Sequence, residues 1–127
     1  MQKRIVVAGC RDYTNYKQAK RYIDWAISNI KNEHELIFVS GGAKGADALG
    51  ERYAKENGYK LETYPAEWQK YGPKAGPMRN KQMAGIADYV ICFWDGKSRG
   101  TKSMINEAKA FNKPVKIKYI SINNKNR

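Results

Sequence analysis

Apolar positions in this chain fall into short β-branched runs separated by longer stretches of helical spacing. Ile5-Val6-Val7-Ala8 is continuous and closes on Gly9, which predicts a central strand buried on both faces. Tyr16, Ala19, Tyr22, Ile23, Ala26, Ile27 and Ile30 then recur every three or four residues. Residues 15–32 therefore read as an amphipathic helix, capped by Thr14 or Asn15, with Trp25 expected in the core. Leu36-Ile37-Phe38-Val39 is a second strand, and a glycine-rich turn leads from it into a helix over Ala46–Asn57 that Gly58 stops. Lys60–Tyr64 is less apolar and reads as a strand near a sheet edge. Residues 66–76 read as a loop, and Pro77 takes the first position of a helix running through Met83. A strand over residues 88–93, a helix over Thr101–Phe111 and a strand over Val115–Ile122 complete the series. Alternation of strand and helix with short connections predicts an α/β fold with a mostly parallel sheet of about five strands. Ligands of such sheets sit at the carboxyl ends of the strands.

Composition narrows the partner. The 127 residues fit a single domain, taken here as residues 1–122 with a polar tail over 123–127. Lysines and arginines number 24 against 12 acids, a net charge of +12, which calls for an anionic partner: nucleic acid, a membrane surface or a phosphorylated metabolite. No apolar stretch approaches the roughly 20 residues that span a bilayer, and Met1-Gln2-Lys3-Arg4 leads straight into a strand. A soluble, cytoplasmic protein without membrane association is expected. Cys10 and Cys92 each close an apolar run, with neither CxxC spacing nor a histidine cluster, so reduced thiols and no metal or cofactor are expected.

Two segments carry candidate chemistry. Ser40-Gly41-Gly42-Ala43-Lys44-Gly45-Ala46-Asp47 joins a strand to a helix, and Trp94-Asp95-Gly96-Lys97-Ser98-Arg99-Gly100-Thr101 does the same further on. A glycine-rich turn at a helix start presents bare N–H groups at the positive end of the helix dipole, where phosphate binds well. Gly41, Gly42 and Gly45 either cradle a phosphate or permit tight packing of helix on strand. Ser40 either donates to the same phosphate or caps the turn; Lys44 is a counter-charge or a solvated turn residue. Asp47 accepts from a ribose or stabilises its own helix terminus. Arg79 and Asn80 fall in the first turn after Pro77, and a cation there suggests bidentate phosphate binding. Arg11 and Asp12, beside Gly9, either pair with each other or line the pocket. Ser98, Arg99, Gly100 and Thr101 form a second anion nest, with Thr101 as a candidate N-cap. Trp68, Tyr71 and Trp94 are candidates for stacking on a base. Glu67 is the first candidate acid for any hydrolysis, followed by Asp12 and Glu107.

These segments together resemble the SLOG superfamily, a Rossmann-like group that includes the lonely-guy phosphoribohydrolases and the DNA-processing protein of natural transformation. More closely they resemble its small bacterial and phage branch related to YpsA-type proteins. The carriers are Ala8-Gly9-Cys10-Arg11-Asp12, the Ser40–Asp47 turn, Ala66-Glu67-Trp68, Gly76-Pro77-Met78-Arg79-Asn80-Lys81-Gln82-Met83 and Ser98-Arg99-Gly100-Thr101. The resemblance implies a three-layer Rossmann-like domain with a pocket for a nucleotide or nucleotide-derived ligand, and a homodimer. Arg79 matches the arginine of the lonely-guy enzymes. Their glutamate does not carry over: three residues after Thr101 stands Met104, and the next acid is Glu107. Binding of a phosphorylated, nucleotide-derived small molecule is therefore the leading expectation, hydrolysis of a nucleotide N-glycosidic bond the first rival, and single-stranded nucleic-acid binding the second.

Overall fold

In a computed structural model, which describes residues 1–122, the chain forms one five-stranded sheet in the order β3-β2-β1-β4-β5. The elements run β1 (Gln2–Gly9), α1 (Tyr16–Ile27), β2 (Glu35–Ser40), α2 (Ala46–Glu56), β3 (Lys60–Thr63), α3 (Trp68–Tyr71), a 3-10 turn (Gly72–Lys74), α4 (Ala75–Ile86), β4 (Tyr89–Trp94), α5 (Arg99–Ala110) and β5 (Val115–Tyr119). Every pairing is parallel, as the strand–helix alternation predicts. Ile5 aligns with Phe38 on one side and Tyr89 on the other, so β1 lies at the centre.

Two helices cover each face. Ile5 and Val7 point with Phe38, Ile91 and Phe93 toward Ala19, Ile23 and Ile27 of α1 and Tyr53 and Ala54 of α2. Val6 and Ala8 point the other way, with Val39, Val90 and Cys92, toward Met83 and Ala84 of α4 and Met104, Ile105 and Ala108 of α5. A strand buried on both faces needs a continuous apolar run rather than alternation, which is what β1 has. The edge strands β3 and β5 carry exposed lysines, Lys60 and Lys116, that discourage pairing with another sheet. Among the described residues no helix is long and apolar enough to cross a membrane.

Several boundaries differ from the sequence reading. Helix α1 stops at Ile27, because the Ser28 hydroxyl donates to the Trp25 carbonyl at 2.8 Å and competes with the helical ladder. Asn15 is its cap, accepting from the Gln18 N–H. Trp25 is 60% exposed rather than core: it lies two residues from both Ile23 and Ile27, about 200° round the helix from each. The stretch 66–76 is not all loop, since α3, the 3-10 turn and the start of α4 occupy most of it. Pro77 is the third residue of α4, still within the first turn, where no N–H needs an internal partner. Arg79 consequently sits in the second turn. The last strand ends at Tyr119, short of Ile122. The tail over 123–127 lies outside the described residues.

Candidate functional site

The chain runs from β1 outward through β2 to β3, then returns along α4 to lay β4 against the other side of β1. The connections leaving β1 and β4 therefore diverge, and a crevice opens between them at the carboxyl end of the sheet. It measures about 460 Å³, and Gly9, Arg11, Asp47, Arg79, Asn80, Ser98, Arg99, Gly100 and Thr101 all line it. A neighbouring depression of about 390 Å³ takes in Gly41, Gly42 and Lys44 together with Pro65, and shares Arg11, Trp68 and Arg79 with the cleft.

The first glycine turn is satisfied from within. Ser40 Oγ donates to Glu51 at 2.6 Å and accepts from the Gly42 N–H at 3.0 Å, so it serves the turn. The Ala43 N–H donates to the Asp47 carboxylate at 3.2 Å. Asp47 is buried in the first turn of α2, so the chain's own anion stands where a bound phosphate was expected. Burial pushes its pKa up to about 6, against the downward pull of the Ala43 N–H and the nearby Arg79 cation. Arg79 Nη1 donates to the Gly41 carbonyl at 2.6 Å and its Nε donates to Asn80 Oδ1 at 3.0 Å. Burial lowers the guanidinium pKa, and the Asp47 charge opposes that. The arginine therefore has a structural duty that explains its place without invoking a helix start.

Glycines here also serve close approach. A Cβ at Gly45 would collide with the Cys10 and Arg11 carbonyls, and one at Gly9 with the Phe93 carbonyl oxygen; both residues have positive φ. That proximity lets the Ala46 N–H donate to the Cys10 carbonyl at 3.1 Å and fixes α2 against the end of β1.

The second glycine turn is built differently. Asp95 accepts from the Lys97 and Ser98 N–H groups, each at 2.8 Å, which holds its pKa below the usual carboxylate range. Ser98, not Thr101, caps α5: its Oγ accepts from the Thr101 N–H at 3.3 Å and from the Thr101 hydroxyl at 3.1 Å. Asn80 Nδ2 donates to the Gly100 carbonyl and to Ser103 Oγ, both at 3.3 Å, tying α4 to α5. The Arg99 and Gly100 N–H groups have no acceptor among the described residues. Apart from its own stretch of helix, nothing lies within 4 Å of where a Gly100 Cβ would be. The first turn of this helix borders the cleft.

Residues 3–71 match the family model described as YspA, cpYpsA-related SLOG. The chain belongs to this SLOG family. The gene 61 protein of Mycobacterium phage D29 is 37% identical over 91 residues, covering 67% of this chain and 73% of that protein. DNA processing protein A from Streptococcus pneumoniae is 25% identical with a TM-score of 0.69, covering 98% of this chain and 52% of its own. The chain thus spans about half the length of that protein. Two further solved structures share the fold at 21% identity. TM1055 has a TM-score of 0.65 over 91% of this chain and 72% of its own, and DNA processing protein A from Helicobacter pylori has 0.66 over 95% and 67%.

Glu67, Glu107 and Trp94 fall outside the cleft of this SLOG domain, whereas Asp12 and Trp68 line it. Glu67 is exposed at the start of α3, and Glu107 is half-buried on α5; neither lines the cavity. Met104 does line it, buried. Trp94 is turned away: its Nε1 donates to the Ser98 carbonyl at 3.1 Å and its ring packs on Tyr119 at 5.9 Å. Arg11 and Asp12 do not pair with each other; Asp12 approaches Lys44 at 3.9 Å. Asp95 was not anticipated as a wall residue, although an Asp-Gly step at a strand end is a turn signal that pointed to it. Cys10 also lines the cleft, and burial pushes its thiol pKa up, away from a nucleophile's.

Proposed function

We propose that this SLOG domain binds a phosphorylated, nucleotide-derived small molecule in the cleft between β1 and β4, with a phosphate on the N-terminus of α5. One observation carries the reading. Arg99 and Gly100 line the cleft at the start of α5, and their amides have no acceptor among the described residues. A phosphate there gains two N–H donors and the positive end of the helix dipole. Arg99 adds charge from the cleft wall. Binding, rather than hydrolysis, is favoured because two of the cleft's acids are already engaged, Asp47 by the Ala43 amide and Asp95 by two amides, and Glu67 and Glu107 lie outside it. In this reading the domain senses or sequesters its ligand. The test is isothermal titration of purified protein with a nucleotide panel, followed by chromatography of the recovered ligand. Unchanged ligand with a measurable Kd supports binding, whereas released base would establish an N-glycosidase.

A second reading has its own support. The net charge is +12, and the Helicobacter pylori neighbour is described by its single-stranded DNA binding mode. Single-stranded DNA binding would show as affinity falling steeply with salt, roughly 0.7 log units per phosphate contact for each tenfold rise. A salt-steep response to oligonucleotides with none to small nucleotides would replace the metabolite reading.

A further inference from the structure

Trp68 and Arg11 stand opposite each other across the cleft mouth with no role in the hydrogen bonding that builds it. Trp68 opens α3 and its indole is 48% exposed. One end of the ring rests on α4, where Gly76 makes room: a Cβ there would sit 3.0 Å from the ring carbon Cη2. The remainder borders both the cleft and the adjoining depression. Arg11 lies over this ring with its guanidinium carbon 6.0 Å from the ring centroid. That is not contact stacking. Elsewhere in the same molecule Arg52 sits 3.8 Å over the Tyr16 ring, the spacing of touching planes. A planar group between two faces needs about 7 Å from one to the other, two carbon contact distances of roughly 3.5 Å. The gap at Arg11 is therefore about 1 Å short of one aromatic thickness. The two partners are unequally fixed. The Arg11 backbone is held by the Cys10–Tyr13 turn and by close approach of Gly45, while its side chain is exposed and makes no ion pair among the described residues. Closing or opening by about 1 Å falls within the reach of an arginine side chain.

We propose that Arg11 and Trp68 form a clamp that takes the planar base of the ligand, with the guanidinium on one face and the indole on the other. This rests on the phosphate site at α5 described above and adds the ligand's second recognition element. The clamp is indifferent to hydrogen-bonding edges and favours large π-surfaces, so purines are preferred to pyrimidines. A ligand lacking a base engages only the helix terminus.

The experiment compares AMP and ADP with ribose 5-phosphate, by titration calorimetry, on wild type, Trp68→Leu, Trp68→Phe, Arg11→Met and Gly100→Asp. Leucine keeps apolar packing against Gly76, and thermal melts confirm that each variant is folded. Trp68→Leu is expected to weaken AMP about 5- to 100-fold and leave ribose 5-phosphate unchanged, with Trp68→Phe recovering most of the loss. Arg11→Met is expected to weaken AMP about 5-fold. AMP should quench tryptophan fluorescence in wild type and much less in Trp68→Phe. Equal weakening of AMP and ribose 5-phosphate by Trp68→Leu would make the tryptophan a loop anchor and overturn the clamp. Sensitivity to Gly100→Asp without dependence on Trp68 would also remove the clamp and leave the phosphate site standing. No binding of any of the three ligands to wild type overturns both.

Discussion

Gly100 offers a substitution whose effects on stability and on binding have opposite signs. It occupies the second position of α5, after the Ser98 cap and Arg99, and its φ is not positive, so any L-residue adopts its backbone. A Cβ there meets nothing within 4 Å apart from its own stretch of helix. Gly100→Ala therefore stabilises the protein, chiefly by narrowing the unfolded ensemble, by about 0.5 kcal/mol. Gly100→Asp adds a negative charge at the positive end of the helix, about 0.3–1 kcal/mol more. Together that is about 1 kcal/mol, or about 3–5 °C in Tm for a domain of this size. The same carboxylate lies against the proposed phosphate. At about 5 Å, one pair of like charges costs about 0.8 kcal/mol in water and about 3 kcal/mol at an effective dielectric of 20. Affinity for a nucleoside monophosphate should fall about 4- to 150-fold, and the alanine variant should fall between that and wild type. Thermal melts without ligand and titration calorimetry with it read the two effects separately. A Gly100→Asp protein that is more stable and binds the phosphate as tightly as wild type would refute the placement at α5. A destabilised Gly100→Ala would refute the open geometry itself.

Three further outcomes follow from the same contacts. Because the Asp47 pKa is raised to about 6 from 3.8, the folded state binds its proton more tightly than the unfolded state, and stability falls as pH rises between those values. The penalty is absent below about pH 4 and complete above about pH 6.5, and is of order 3 kcal/mol. Urea melts should accordingly show wild type gaining on Asp47→Asn as pH drops from 7.5 to 4.5; parallel pH profiles would contradict this. Gly9→Ala, which drives a methyl into the Phe93 carbonyl and Ala46, should cost about 3 kcal/mol or more and lower Tm by about 10 °C, or prevent folding; a soluble variant with wild-type Tm would disprove the close approach. Ser98→Ala removes the α5 cap and should cost about 1 kcal/mol by the same melts, with an unchanged Tm counting against the cap.

Periodicity revealed the sheet because the strands are short, continuous and buried on both faces, and the helices carry their apolar residues on one side. Ile5–Ala8 had to be central for that reason, and Lys60–Tyr64 had to be near an edge. Where the reading slipped, a local hydrogen bond or a neighbour in space decided. Ser28 ended α1 through its own hydroxyl, and the 3-10 turn at Gly72–Lys74 launched α4 two residues before Pro77. Neither event leaves a periodic trace. The cleft was legible as a set of segments, since each lies at a strand end, but the division of labour within it was not. Trp94 belongs to the right segment and faces the wrong way, because its indole N–H is taken by the Ser98 carbonyl.

The two glycine turns show why segment and role separate. Both join a central strand to a helix and both expose amides at a positive terminus. Their difference lies in the acid near each. In the first, Asp47 is inside the helix, two residues after Gly45, and its carboxylate folds back onto the Ala43 N–H at the helix terminus. In the second, Asp95 precedes the helix, and its carboxylate is consumed by the Lys97 and Ser98 amides before the helix starts. The Arg99 and Gly100 amides beyond it therefore have no acceptor among the described residues. A helix that carries its anion inside its first turn has little left to offer a ligand; one whose acid stands upstream keeps its terminus available. On that argument the proposed phosphate belongs with α5, and the residues around Asp47 hold the walls of the cleft in place.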